Sequence, residues 1–543
     1  MENTALLTHT LLPIEQIAQK LSLLPAEYEP IGAYGAKLRL NLLDNPAFPV
    51  RGKLIIVTAT TPTTSGEGKT VVSIGLAQGL ERIGHKSILT SREPSLGPVF
   101  GMKGGAAGGG LSQVEPSQKI NLHFHGDFHA ITSAHNLLAA MIDSHLFFGN
   151  ALDLDPAQIT WPRTMDMNDR SLRRISVDVG GKDEGANRST GFVITAASEI
   201  MAIMALASSR EDLRHRLDAI VVGPSRLGRP VTAGDLGVTG AMLALLDEAI
   251  KPNLVQTTEG TPALVHTGPF GNIAHGTSSI LAHKMGLRLA DYVVNECGFA
   301  ADLGAEKYFD IVMRASGIRP AAAVLVASVQ SLRAQGEGKI EAGFANLDQH
   351  IRTLRGFGVP IVVAINRFPA DTPEELEMVA TECSLQGIPC ALVEAFTKGG
   401  EGAIDLAQKV VSAIETNPLP EIHPVYALED SLETKILKVA IQVYGADGVI
   451  FSDAAQAKLN RYTEWGFGKL PVCIAKTQYS LTDDPKRMGA PKGWTLNVNN
   501  VTLSAGAGFI VAVSGNIMLM PGLPSHPRAM SIDVDGNDNI VGV

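Results

Sequence analysis

The sequence is poor in cysteine, in net positive charge and in long apolar runs, and each shortage removes a class of function. Four cysteines occur among 543 residues. Cys297, Cys383, Cys390 and Cys473 are scattered without a C-x-x-C pair, which fits neither a zinc ribbon nor a disulfide framework and makes a reducing cytosol the simplest home. Lys and Arg number 45 against 55 Asp and Glu, a formal net charge of -10. A basic footprint for nucleic acid or an anionic membrane is missing, so any anionic ligand must be met by a local site.

Apolar stretches break early. Glu199 precedes Ile200 to Leu206, and Ser514-Gly515-Asn516 cuts Phe509 to Met520, short of a membrane span. The start, Met1-Glu2-Asn3-Thr4, lacks the basic residues of a signal peptide, and Ile14, Ile17, Ala18 and Leu21 recur at the spacing of an amphipathic helix. No internal repeat is visible. The expectation is a soluble, cytoplasmic chain of about three domains.

What is present is strand-helix alternation. Short apolar runs at Leu54 to Val57, Ile88-Leu89, Ile220 to Val222, Val324 to Val326 and Val359 to Ile365 each run into polar or Gly-rich residues, the pattern of an α/β fold with a mainly parallel sheet and helices on both faces. In such a sheet ligands collect at the carboxyl ends of the strands. Residues 416–420 read as a linker ahead of a Gly-, Asn- and Pro-rich segment.

The run Lys53 to Thr60 leads into Thr61-Pro62-Thr63-Thr64-Ser65-Gly66-Glu67-Gly68-Lys69-Thr70, and apolar residues then recur helically from Val71 to Ile83. Strand, Gly-rich loop and helix make a phosphate cradle: glycines let backbone N-H groups turn inward, Lys69 reaches the terminal phosphates, and the Thr70 hydroxyl is the expected Mg²⁺ ligand. The pattern G-x-x-x-x-G-K-[ST] is met except that Thr63 replaces its first Gly. Downstream, Arg92 ends the next strand, where it either grips an anion bidentately or pairs with Glu93. His123, His125, His129, His135 and His145 read as a metal cluster only if they converge.

Gly101-Met102-Lys103-Gly104-Gly105-Ala106-Ala107-Gly108-Gly109-Gly110 follows, then Asn121-Leu122-His123-Phe124-His125-Gly126-Asp127. Together with the phosphate loop these segments resemble the formate-tetrahydrofolate ligase family, whose hallmark is G-[ILMV]-K-G-G-A-A-G-G-G. The resemblance runs on through Gly268 to Gly276, Ala305 to Asp310, Lys398 to Gly402 and Ser504 to Phe509, essentially the whole chain. Three departures stand out. Leu111 occupies a usual aromatic position, Gln330 replaces a usual Arg, and Phe396 stands where Trp is common.

The resemblance implies a P-loop NTPase-like α/β fold with smaller α/β C-terminal domains: 1–355 for nucleotide, 356–420 for the folate-stacking residues and 421–543 at the end. It implies ligation of formate to tetrahydrofolate with MgATP as substrate, through formyl phosphate, with no tightly bound organic cofactor. Lys69 and Arg92 are the implied catalytic residues. Thr63, Thr64, Ser65, Gly66, Glu67, Gly68, Lys69, Thr70 and Asp127 are the implied nucleotide site, and Phe368, Leu392 and Phe396 the folate platform. A monovalent cation and a homotetramer come with the family. A P-loop switch ATPase, or an impaired relative acting as a binding protein, remains the alternative reading.

Overall fold

A computed structural model describes residues 11–101, 107–178, 188–536 and 540–542. Met1 to Thr4 and the hallmark residues Met102 to Ala106 lie outside the described residues.

A 12-stranded sheet forms the centre. Its parallel part runs, in spatial order, through Pro262–Val265, Ser87–Ser91, Tyr292–Glu296, Lys53–Ala59, Pro320–Ala327, Ile361–Asn366 and Cys390–Val393. All of these but the edge strand Cys390–Val393 are buried on both faces, as Val-, Ile- and Ala-rich runs require, and an apolar core lies on each side. Lys69–Arg82 and Ile404–Thr416 contribute to one core, Asp127–Phe147 and Ile340–Phe357 to the other. The α/β class and the mostly parallel sheet expected from the sequence are therefore observed.

Asn253–Thr257 turns antiparallel to Pro262–Val265 and to Ala36–Leu38, closing one edge. The expected helix near Pro13 spans Ile14–Lys20, with Ile14, Ile17 and Ala18 buried. One expectation needs correcting. The run at Ile220 to Val222 does not join the parallel sheet: Val221–Pro224 pairs antiparallel with Pro230–Thr232. The intervening turn is far too short for the crossover that a parallel partner needs.

Beyond residue 420 a separate four-stranded sheet forms from Gly448–Phe451, Thr495–Ser504, Phe509–Ser514 and Val472–Ala475, with its own core against Leu432–Gln442 and Asp453–Glu464. Among the described residues no helix is long and apolar enough to cross a membrane.

Candidate functional site

The central strand Lys53–Ala59 delivers the loop 60–68 to the carboxyl edge of the sheet, and the helix Lys69–Arg82 leaves from it. The loop is pinned at both ends. Thr61 is held by Asn346 and by His350 Nε2, 3.0 Å from its hydroxyl. At the other end Gly68 adopts φ +71° as the helix N-cap, and a Cβ there would lie 2.3 Å from Asn366 Nδ2, which itself donates to Glu67 O at 2.9 Å. Only glycine meets both demands.

Glu67 turns back into its own loop. It accepts from Thr63 N at 2.6 Å and from the Ser328 hydroxyl, and the Gln330 amide reaches it at 3.2 Å while donating to Gly66 O at 2.7 Å. Gln330, a departure from the family pattern, is thus bonded into the loop. Thr64 and Ser65 remain exposed at its tip.

Lys69 and Arg92 meet at a residue the sequence reading missed. Glu296, the last residue of the strand between theirs, lies 3.7 Å from Lys69 Nζ and 3.5 Å from Arg92 Nη2. Burial pushes its pKa up, but Lys69 and Arg92 outweigh burial and hold it below the usual value. Arg92 also donates to Pro269 O at 3.1 Å, and Lys69 to Phe299 O at 2.9 Å. The guanidinium pairs with Glu296 and not with Glu93, the local partner the sequence offered.

Glu93 points the other way, into a second buried cluster. There Asp127, the first residue of its helix, accepts from Lys37 Nζ at 2.7 and 2.8 Å and from Asn253 Nδ2 at 2.8 Å. Burial, then the nearby Asp127, raise the pKa of Glu93 well above normal despite Lys37. Burial likewise pushes Asp166 up to about 6, against hydrogen bonds from Ser95 and Leu96 N. Asp127 therefore sits with Lys37 and Asn253, while Lys69 and Arg92 gather on Glu296.

On the opposite side of the loop stand Phe368, Leu392 and Phe396, on or just beyond the adjacent strands Ile361–Asn366 and Cys390–Val393. Phe396 is 57% exposed and Leu392 41%, and Phe368 is half-buried. The described end of the hallmark, Gly109 and Gly110, packs here: Gly110 has φ +60°, a Cβ on it would come 2.1 Å from Phe396 O, and Leu111 N donates to that oxygen at 2.9 Å. The histidines do not converge. His135 bonds Ser198 and Pro162 O, His145 accepts from Leu152 N, and among the described residues no group of three or more His, Cys, Asp or Glu could hold a metal. A cavity of about 640 Å³ lined by Leu40, Asp44, Arg210 and Arg288 opens near Val50, beside the start of the central strand and away from Lys69. The converging charges of Lys69, Arg92 and Glu296 lie at the other edge.

The family model described as formate-tetrahydrofolate ligase matches residues 4–543. Two relatives named formate-tetrahydrofolate ligase are similar over nearly their full lengths. The protein of Pseudothermotoga lettingae is 51% identical over 543 residues, spanning 98% of this chain and 97% of its own. That of Symbiobacterium thermophilum is 52% identical over 543 residues, with the same shares of 98% and 97%. The chain belongs to the formate-tetrahydrofolate ligase family.

Proposed function

We propose that this protein joins formate to tetrahydrofolate at the expense of ATP, through formyl phosphate, at the carboxyl edge of the large sheet. The observation that carries the reading is the convergence of Lys69 and Arg92 beside a pinned Gly-rich loop, with exposed Phe396 and Leu392 toward the far edge of the same sheet.

Formate is a poor electrophile. Its oxygen attacks the γ-phosphorus of ATP, the bond to ADP breaks, and formyl phosphate forms. Phosphoryl transfer calls for positioning and charge stabilisation, which the loop N-H groups and Lys69 supply. Thr70 offers an oxygen ligand at the first turn of the helix, and this chemistry suits Mg²⁺. When bound, Mg²⁺ offsets charge on the terminal phosphates. Arg92 holds the formyl phosphate while the folate amine attacks its carbonyl carbon; the carbon-oxygen bond breaks, phosphate leaves, and the amine loses a proton.

The pteridine lies on Phe368 and Phe396, with Leu392 as an apolar wall. Asp127 acts from its buried cluster on the nucleotide side. Activation by a monovalent cation and a cytoplasmic homotetramer complete the reading.

Mixing purified protein with MgATP, formate and tetrahydrofolate tests it. Stoichiometric 10-formyltetrahydrofolate and ADP are expected. ADP released without the folate product returns the chain to the switch-ATPase reading, and nucleotide binding with no turnover to the binding-protein reading.

A further inference from the structure

The chain that leaves Arg92 reaches the Gly-rich hallmark through a helix too short to fix its own place. Leu96–Phe100 has five residues, well under the length at which a helix holds together unaided, so its position must come from what grips it. Asp166 accepts from Leu96 N at 2.9 Å, and Asn168 Nδ2 donates to Gly97 O at 2.9 Å. Carbonyls at the far end of a helix have no partner within it. Gly101, the residue after this helix and the first of the hallmark, finds its donor in a distant segment: Arg528 N donates to Gly101 O at 2.8 Å.

That segment follows Phe509–Ser514 of the small sheet and crosses back toward the large one. Ile194 N donates to Leu519 O at 2.8 Å, and Arg173 Nε to Met520 O at 2.9 Å. Arg173 closes the turn Arg170–Arg173, just after Asn168, so one stretch of chain grips both the short helix and the segment. Farther along, Arg528 Nη2 donates to Gly542 O at 2.7 Å, and Gln118 Nε2 to Ile540 O at 2.8 Å. Gln118 belongs to Ser117–Asn121, beyond the hallmark. The segment thus bonds the chain on both sides of the hallmark, whose later glycines pack against Phe396. We propose that the chain from Leu519 to Met530, with 540–542 tied to it, is a strap that sets where the hallmark begins between Arg92 and Phe396, and that Arg528 is a positioning residue for formyl transfer. This rests on the reading that Arg92 and Phe396 flank the reacting groups. The phosphate loop is pinned by other residues, Asn346, Asn366 and Gln330, so nucleotide binding does not depend on the strap.

Arg528→Pro tests this. Arg528 opens a 3-10 turn after Pro527, whose ψ of 151° suits a following proline, so the variant deletes one N-H and keeps the path of the chain. Turnover at saturating substrates is expected to fall about three- to tenfold, the scale of one hydrogen bond, with ADP affinity by calorimetry within about twofold of wild type. Arg528→Ala keeps the N-H and should lose less. A purely structural bond would lower the melting temperature and leave kcat of the folded protein unchanged. That result overturns the proposal, as does an Ala loss as large as the Pro loss or an ADP affinity that falls with kcat. Should Arg528→Pro not fold, Gln118→Ala cuts the strap on the other side of the hallmark: a reduced kcat with ADP affinity kept supports the strap, and wild-type kcat overturns it. A wild type that makes no 10-formyltetrahydrofolate fails the functional reading before any variant is compared, a distinguishable failure.

Discussion

The two sides of the phosphate loop are built differently. Toward Ser87–Ser91 the edge is polar, buried and already assembled, with Lys69 and Arg92 sharing Glu296. Toward Cys390–Val393 Gln330 and Asn366 tie the loop backbone, and beyond them the edge is open, with Phe396 and Leu392 facing solvent. A charged transition state gains most from groups fixed before it forms, whereas a flat ring gains from surfaces that water leaves as it arrives. The contrast teaches that the polar side is where reactivity should be lost, and the aromatic side where affinity should be lost.

The largest effect is expected at Lys69. Lys69→Ala should leave a folded protein with turnover reduced by at least on the order of a hundredfold, the scale of losing one group that stabilises transferring charge. Near-normal turnover in the purified variant would sink the phosphate-loop assignment. Arg92→Ala should follow, slowing formyl transfer in single-turnover experiments by about ten- to a hundredfold, the scale of a hydrogen bond to a charged group, with ATP affinity nearly unchanged. Equal losses of ATP affinity and transfer rate would move Arg92 into the nucleotide site.

Phe396→Ala sharpens the comparison from the other side. The Michaelis constant for tetrahydrofolate should rise roughly tenfold, with those for ATP and formate little changed. Because Phe396 is 57% exposed, truncation opens no core cavity, and the melting temperature should fall far less than after loss of a buried Phe at about 3 to 5 kcal/mol. A large drop in melting temperature with an unchanged folate constant would leave the platform without support.

Much of this edge was legible because its signals are local. The strand, the glycines and the helical periodicity from Lys53 to Ile83 lie within one stretch of chain, and the helix appears at Lys69–Arg82. Glu296 was not legible. Its partners come from chain more than 200 residues away, and a Glu closing a short apolar run looks like any strand end. Gln330 was visible only as a departure, since its role depends on an amide reaching Gly66 O across two strand ends. The hairpin at Val221–Pro224 was misplaced for the converse reason: an apolar run shows that a strand forms but not which partner it takes.

The smallest effect tests whether the polar side is balanced cluster by cluster. Arg92 and Glu93 are neighbours that serve opposite environments, one rich in cations around Glu296 and one rich in acids around Asp127. Asp166 belongs to the acid-rich side, and burial pushes it up to about 6 against the hydrogen bonds from Ser95 and Leu96 N. A carboxyl with a raised folded pKa binds its proton more tightly folded than unfolded. Its contribution to stability is therefore full below the unfolded value of about 3.9 and is lost as pH rises through about 6. Asp166→Asn keeps an oxygen to accept from Ser95 and Leu96 but removes the charge. Relative to wild type it should gain stability from pH 5 to about pH 7 and level off above that, by on the order of 1 kcal/mol or somewhat more. Melting temperatures of both proteins across that range provide the check: a difference independent of pH would show that Asp166 is not strained by its ionisation, and the acid-rich cluster would then be better balanced than its geometry implies.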